Sequence, residues 1–231
     1  IGALIQDLSH FDNAKVNAAL YALSLDIDKD QKKSKNIHAV GGCLALVYLM
    51  KNCLDKAIDK VPGCDQVTNL RELPNLKTLR DALLVIDHLI RTHKESRVGI
   101  SSVGGVETVV KIMKTFPKCE EMQWVACAAL GILTRCNLGT KKAAETDAME
   151  VLVATVNNHL NSADMCGHIC LAFYNLIKGN KESMQIFLRS GGVSAVTKVR
   201  EQWPDDDTVQ KVVRKVMEPV VKELSCWTQA K

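Results

Sequence analysis

Apolar residues recur at spacings of three and four along almost the whole chain, the signature of helices with one buried face. In residues 1–11, Ile1, Leu4, Ile5, Leu8 and Phe11 share one side of a short helix. Asp12-Asn13 offers a cap, and residues 14–25 predict a second helix carrying Val16, Ala19, Leu20 and Leu23 on one face. The charged stretch 26–36 reads as solvated, after which Ile37, Val40 and Gly41-Gly42 close a short helix. Residues 43–54 are helical again. Pro62-Gly63 and Pro74 then break the pattern, so residues 55–75 read as an irregular insertion holding Cys64 and Arg71, a candidate partner-specific arm. Residues 76–92 predict a long helix with Leu79, Leu83, Ile86, Leu89 and Ile90 apolar.

Beyond residue 93 the pattern becomes regular, with a short, a medium and a long helix in succession. The predicted spans are 94–103, 106–115 and 119–135, then 139–146, 149–160 and 162–178, then 182–189, 193–202 and 207–226. The phrase NLIKGNKESMQIFLRSGGV at 175–193 has a degraded copy, HLIRTHKESRVGISSVGGV, 87 residues earlier. Landmark apolar positions of the long helices fall at Leu20, Ile86, Leu130 and Phe173. The last two intervals are 44 and 43 residues, and the first, 66, fits one period plus the insertion. A three-helix period near 43 belongs to helical solenoids, in which each unit buries its apolar faces only by stacking on its neighbours.

The stretch NLIKGNKESMQIFLRSGGVSAV resembles the armadillo-repeat consensus: a helix ending in Asn-Leu, Gly-Asn, a short helix, Gly-Gly, then an apolar helix. VACAALGIL and VNAALYALS resemble the alanine-rich third helix of such repeats. The resemblance implies an all-α, right-handed superhelical solenoid of armadillo-like three-helix repeats. One such domain is expected over 1–231, with about four and a half repeats, the insertion at about 55–75 and a C-terminal capping helix at about 207–226 followed by Trp227. Small alanines let third helices approach closely, and Gly-Gly permits a sharp turn without a Cβ penalty. The third helices would line a concave surface.

Composition agrees with a helical core. Hydrophobic residues make up 47% but aromatics only 4%, so Leu, Val, Ile, Ala and Met must fill the interior. The net charge of +4 is well short of the concentrated field of a dedicated nucleic-acid binder. Nine cysteines, most within apolar helical runs, argue against a disulfide scaffold and for a reducing compartment, so cytoplasmic (possibly nuclear) localisation is expected. There is no run of about 18 apolar residues and no signal-peptide pattern. His159, Cys166, His168 and Cys170 are the sharpest metal candidate, but His168 points away from both cysteines and a fourth ligand is not placed. The cysteines read as packing residues, and no metal is expected. Neither GxxxxGK[ST] nor GxGxxG occurs, so no cofactor is expected, and no residue set announces an enzyme.

The candidate chemistry therefore lies on the concave face. In peptide-binding armadillo proteins the third helix carries an Asn that bonds the bound peptide, with a Trp one turn earlier. That register here holds Ala22, His88, Ile132 and Asn175, and the Trp positions hold Ala18, Leu84, Ala128 and Leu171. Three residues beyond it stand Arg91, Arg135 and Lys178, spaced 44 and 43. A cation repeated at the structural period predicts a positive row that favours an acidic or phosphorylated segment. The expected groove residues are His88, Arg91, Arg135, Asn175 and Lys178, and the expected function is a non-enzymatic protein-interaction scaffold. The alternative is binding of nucleic acid or anionic lipid headgroups, which the sparse cations and absent aromatic interleaving make the weaker reading. No oligomeric state follows from the pattern.

Overall fold

Three-helix units succeed one another along the chain, each of a short, a medium and a long helix, except that in the first the second and third helices are both 19 residues. The computed structural model describes residues 2–8, 13–29, 31–60, 63–70 and 74–229. Helices α1 (Gly2–Asp7) and α2 (Asn13–Lys29) come first. The first unit holds α3 (Gln31–Ala39), α4 (Gly42–Lys60) and α5 (Pro74–Thr92). The second holds α6 (Lys94–Ser102), α7 (Gly105–Thr115) and α8 (Glu120–Leu133). The third holds α9 (Asn137–Ala144), α10 (Ala148–Asn158) and α11 (Ala163–Ile177), and the fourth α12 (Lys181–Arg189), α13 (Gly192–Gln202) and α14 (Asp207–Gln229). Long helices α2, α5, α8, α11 and α14 pack in succession, as do the medium helices α4, α7, α10 and α13. No strand occurs among the described residues. The fold is an all-α solenoid.

The small residues of the long helices set the spacing between units. Ala126, Ala128 and Ala129 of α8 are fully buried. A Cβ at Gly131 would sit 3.1 Å from the His168 carbonyl oxygen of α11, tighter than ordinary contact, so a larger residue would push the two helices apart.

The turn between the short and medium helices has a two-part requirement. Gly41, Gly104 and Gly191 adopt φ of 80°, 88° and 85°, the left-handed region that only glycine visits without cost. The next residue, Gly42, Gly105 or Gly192, has no room for a Cβ, which would overlap Ile37, Ile100 or Phe187 five residues earlier. The third unit solves the same problem differently. Ala148 takes the second glycine's place, the residue five earlier is the small Ala143, and Asp147 keeps an ordinary φ of −79°. At Gly191 nothing lies within 4 Å of a built Cβ, so Gly191→Ala measures the backbone penalty alone. It should cost about 1 kcal/mol by chemical denaturation.

A second device ties each unit to the one before. Phe116, His159 and Trp203 close the three medium helices α7, α10 and α13 with nearly the same backbone angles. The ring nitrogens of the latter two reach back one unit, His159 Nε2 to the Pro117 carbonyl at 2.7 Å and Trp203 Nε1 to the Leu160 carbonyl at 2.9 Å. The carbonyls that end α7 are capped by Gln123, whose Nε2 donates to Met113 O at 2.8 Å and Phe116 O at 2.9 Å. Gln210, 87 residues on, does the same for Arg200 O and Trp203 O at 3.0 and 2.7 Å. In the intervening unit the thiol of Cys166 takes this place, facing Leu160 O at 3.7 Å and His159 O at 4.0 Å.

Several sequence expectations are corrected. The stretch 26–36 is not a solvated link: α2 runs to Lys29 and α3 begins at Gln31. Ile27 continues the buried spacing of Val16, Leu20 and Leu23, and Ser34 is buried against Thr92, their hydroxyls 2.8 Å apart. The irregular segment is shorter than 55–75, because α4 extends to Lys60 on the buried positions Cys53, Leu54 and Ala57. Within it, Val67 and Leu70 are buried and Lys118 of the α7–α8 connection donates to Gln66 Oε1 at 2.6 Å. The final helix reaches Gln229, capped at its start by Asp206, which accepts from the Thr208 and Val209 amides at 2.9 Å. It buries Val209, Val213, Val216 and Val220, whereas Leu224 is exposed. Phe11, Asp12 and Arg71 lie outside the described residues, as do the side chains of Asn13 and Trp227.

Candidate binding surface

The middle of the concave face offers little surface at the expected register. Eleven residues of α8 are buried, and its register positions Ala128 and Ile132 are only 1% and 4% exposed. An extended chain therefore cannot reach α8 at these two positions. What remains open lies to either side of them.

One opening is a polar cleft of about 920 Å³ where α8 and α11 end and α9 and α12 begin, lined by Arg135, Thr140, Lys141, Asn175, Lys178 and Asn180 among others. Arg135 stands exposed just past the end of α8, and it has no ion pair among the described residues. Lys178 caps α11 with its Nζ 5.3 Å from the centroid of the Tyr174 ring, a cation–π contact that leaves the ammonium facing solvent. Asn175 is half-buried, and its Nδ2 donates to Gly131 O at 3.2 Å and Thr134 Oγ1 at 3.3 Å. Its amide thus fastens α11 to the end of α8. Arg97 lies close by: burial lowers its pKa first, and the neighbouring Arg135 charge lowers it further. Acidic groups are fewer here, Glu182 and Glu145, and the latter pairs with Lys142 at 3.2 Å.

The other expected residues stand elsewhere. Arg91 is held by its own helix, Nε to Asp87 Oδ2 at 2.6 Å, and Asp87 is only 5% exposed. Its positive charge is accordingly neutralised at short range. His88 borders a separate hollow of about 370 Å³ between α2 and α5, with Tyr21, Ser24, Lys77, Arg80 and Leu84. A third hollow adjoins it across Arg80 and Leu84 and is bounded by Glu120, Glu121 and Trp124. Arg80 bridges the two helices there, bonding Asp81 at 2.7 Å and Glu121 at 3.2 Å. The structure thus brings Arg135, Asn175 and Lys178 together and separates them from His88 and Arg91.

Sequence reasoning missed several residues. Lys141 enters the cleft from α9, a helix outside the register that was followed. Lys222 on α14 is exposed and stands 44 residues past Lys178, so the cation spacing that picked out Arg91, Arg135 and Lys178 carries on to it. Tyr21 and Trp124 are exposed aromatics with no periodic signal.

Cys127, Cys166 and Cys170 lie buried in the core. Burial pushes the thiols of Cys127, Cys166 and Cys170 up, that of Cys166 to about 11, which disfavours the thiolate a metal needs. His168 is pushed down by burial and then by Arg91. Among the described residues no three His, Cys, Asp or Glu side chains are placed to hold a metal ion. No single described helix is long and apolar enough to cross a membrane; α3 and α4 pass that test only together, across a 72° bend.

No family model matches the chain, and no curated protein matches it in sequence. Solved structures do. An engineered protein superposes with a TM-score of 0.73 at 20% identity, over 94% of this chain and 46% of its own. The chain therefore spans about half of that relative. A computationally designed armadillo repeat protein for modular peptide recognition gives a TM-score of 0.71 at 20% identity, covering 93% of this chain and 79% of that one. A designed armadillo repeat protein in complex with the peptide (KR)4 gives 0.56 at 17% identity, covering 94% and 98%. With these neighbours and the three-helix units described above, the chain has the armadillo-like repeat fold.

Proposed function

We propose that this protein is a non-enzymatic scaffold that binds a peptide or protein segment, and that an acidic or phosphorylated stretch of that partner enters the cleft at Arg135 and Lys178. The observation that carries this reading is the convergence of Arg135, Lys141 and Lys178 on one open cleft in which only two carboxylates take part. Guanidinium and ammonium groups spread over a concave polar surface suit carboxylates or phosphates, with Arg135 able to form a bidentate pair. The peptide-recognition neighbours support a segment of chain as the partner. The (KR)4 complex concerns a basic peptide, whereas the cations in this cleft favour the opposite charge. A reducing compartment, cytoplasm or nucleus, is the proposed setting, in keeping with six buried thiols among the described cysteines.

The test is fluorescence anisotropy with a labelled peptide of alternating Glu and phosphoserine, set beside a neutral Gln/Ser peptide of equal length. Arg135→Glu with Lys178→Glu should weaken the acidic peptide about tenfold, ~1.4 kcal/mol, without changing the melting curve. Unchanged affinity would remove the cleft from the binding surface. Tighter binding of RNA than of the acidic peptide, with a steep salt dependence, would favour nucleic acid instead.

A further inference from the structure

We propose that the seam between the short helices of the first two units, α3 and α6, is a proton-sensitive latch built from His38, His93 and Ser96. The two imidazoles, one from each unit, lie with ring centroids 5.2 Å apart, tilted by 56°. Between them sits the hydroxyl of Ser96, 2.8 Å from His93 Nδ1 and 3.4 Å from His38 Nδ1, in a side chain with no exposure. The far nitrogen of His93, Nε2, is 3.1 Å from Glu95 Oε2, and His38 Nδ1 is also 3.4 Å from the Cys43 thiol. The absence of a side chain at Gly99 is what admits His38, since a Cβ there would come within 2.8 Å of its ring.

These contacts define the neutral arrangement. Facing a carboxylate, His93 Nε2 carries the hydrogen, which leaves Nδ1 as an acceptor for the Ser96 hydroxyl, whose oxygen then accepts from His38 Nδ1–H. A proton added at His93 Nδ1 reverses its bond to Ser96. The buried hydroxyl must then accept, and its own hydrogen is left to the weak Cys43 sulfur unless His38 changes tautomer. The charge gained by His93 is also opposed by the neighbouring His38 ring, 5.2 Å away. The other charged or titratable groups facing the pair are Lys35 on α3, Cys43 on α4, and Lys94 and Glu95 on α6. From α5, Thr92 adds only a hydroxyl, bonded to Ser34.

The direction of the effect follows from His93. Burial first, then His38 and Lys35, hold it below the ordinary value of 6.5, against the opposing pull of Glu95. A histidine depressed in the folded state is protonated first in the opened chain. The seam is therefore at full strength above the ordinary value and weakens as pH falls through it to the lowered one.

Position 93 begins α6 as Asn180 begins α12, where the Asn side chain accepts from the Ser183 amide at 3.0 Å. The His93 side chain makes no cap bond, so His93→Asn introduces a cap that this fold already uses and removes the titration. Hydrogen exchange of the α3 and α6 amides, corrected for intrinsic rates, should accelerate several-fold from about pH 7.5 to about pH 5.5 in the native chain. In His93→Asn the change should stay within a factor of about two. His38→Gln, which removes the ring that adds to the depression of His93, should reduce the acceleration in part, and it serves alone if the first variant does not fold. If both variants open on acidification as the native chain does, there is no latch at this seam.

Discussion

Ala143→Ile should lower stability by about 2–3 kcal/mol in chemical denaturation, an overpacking cost at a site with no slack. Ala143 and Ala148 are 1% and 0% exposed and are five residues apart across the turn into α10. In the three other units the same pair is large-then-glycine: Ile37 with Gly42, Ile100 with Gly105, Phe187 with Gly192. One Cβ or one large side chain fits there, never both. Ala148→Gly alone should cost up to about 1 kcal/mol through backbone entropy and a small void. Added to Ala143→Ile, it should instead recover more than 1 kcal/mol, because the double variant restores the pairing of the sister units. Additivity within about 0.5 kcal/mol would show that the exchange is not a matched pair and that the cost of Ala143→Ile arises away from position 148.

The same pair shows what the sequence discloses. Gly-Gly at 41–42, 104–105 and 191–192 marks the turns because glycine has a local backbone reason to be there, so helices beyond residue 93 are legible to within a few residues. The Ala143–Ala148 compensation involves two ordinary residues and becomes visible only when the units are superposed. The stretch 26–36 misleads because Ile27 and Ser34 are single buried positions amid charge, too few to outweigh it in a periodicity reading. In the cleft, the cation spacing picked out Arg135 and Lys178, which line it from adjacent units, since solenoid stacking converts period into proximity. It could not show that Arg91 is captured, although Asp87 one turn earlier is a readable warning. It also missed that α8 is covered at Ala128 and Ile132, because burial on a concave face depends on the side chains of two neighbouring helices.

Gln123→Met is the other substitution with a large expected effect, about 2 kcal/mol. Met conserves the volume but removes both amide hydrogens, leaving the Met113 carbonyl at the end of α7 without its donor, while the Phe116 carbonyl keeps the Cys119 amide at 3.2 Å. Gln123 has no exposure, so water does not replace it, and a stranded buried acceptor costs about 1–3 kcal/mol. Thr155 also loses the acceptor Gln123 Oε1 at 3.0 Å but keeps the Val151 carbonyl at 2.8 Å, so its share is small. The two equivalent positions make the comparison internal. Gln210 caps Arg200 and Trp203 in the same way but is partly exposed, and Gln210→Met should cost about 1 kcal/mol because solvent reaches its carbonyls. Cys166→Ala removes only a weak thiol donor and should likewise cost about 1 kcal/mol, mostly as lost packing. The expected order, Gln123 well above Gln210 and Cys166, attributes the cost to burial of the cap. Equal costs at positions 123 and 210 would attribute it to the bond itself and contradict this account.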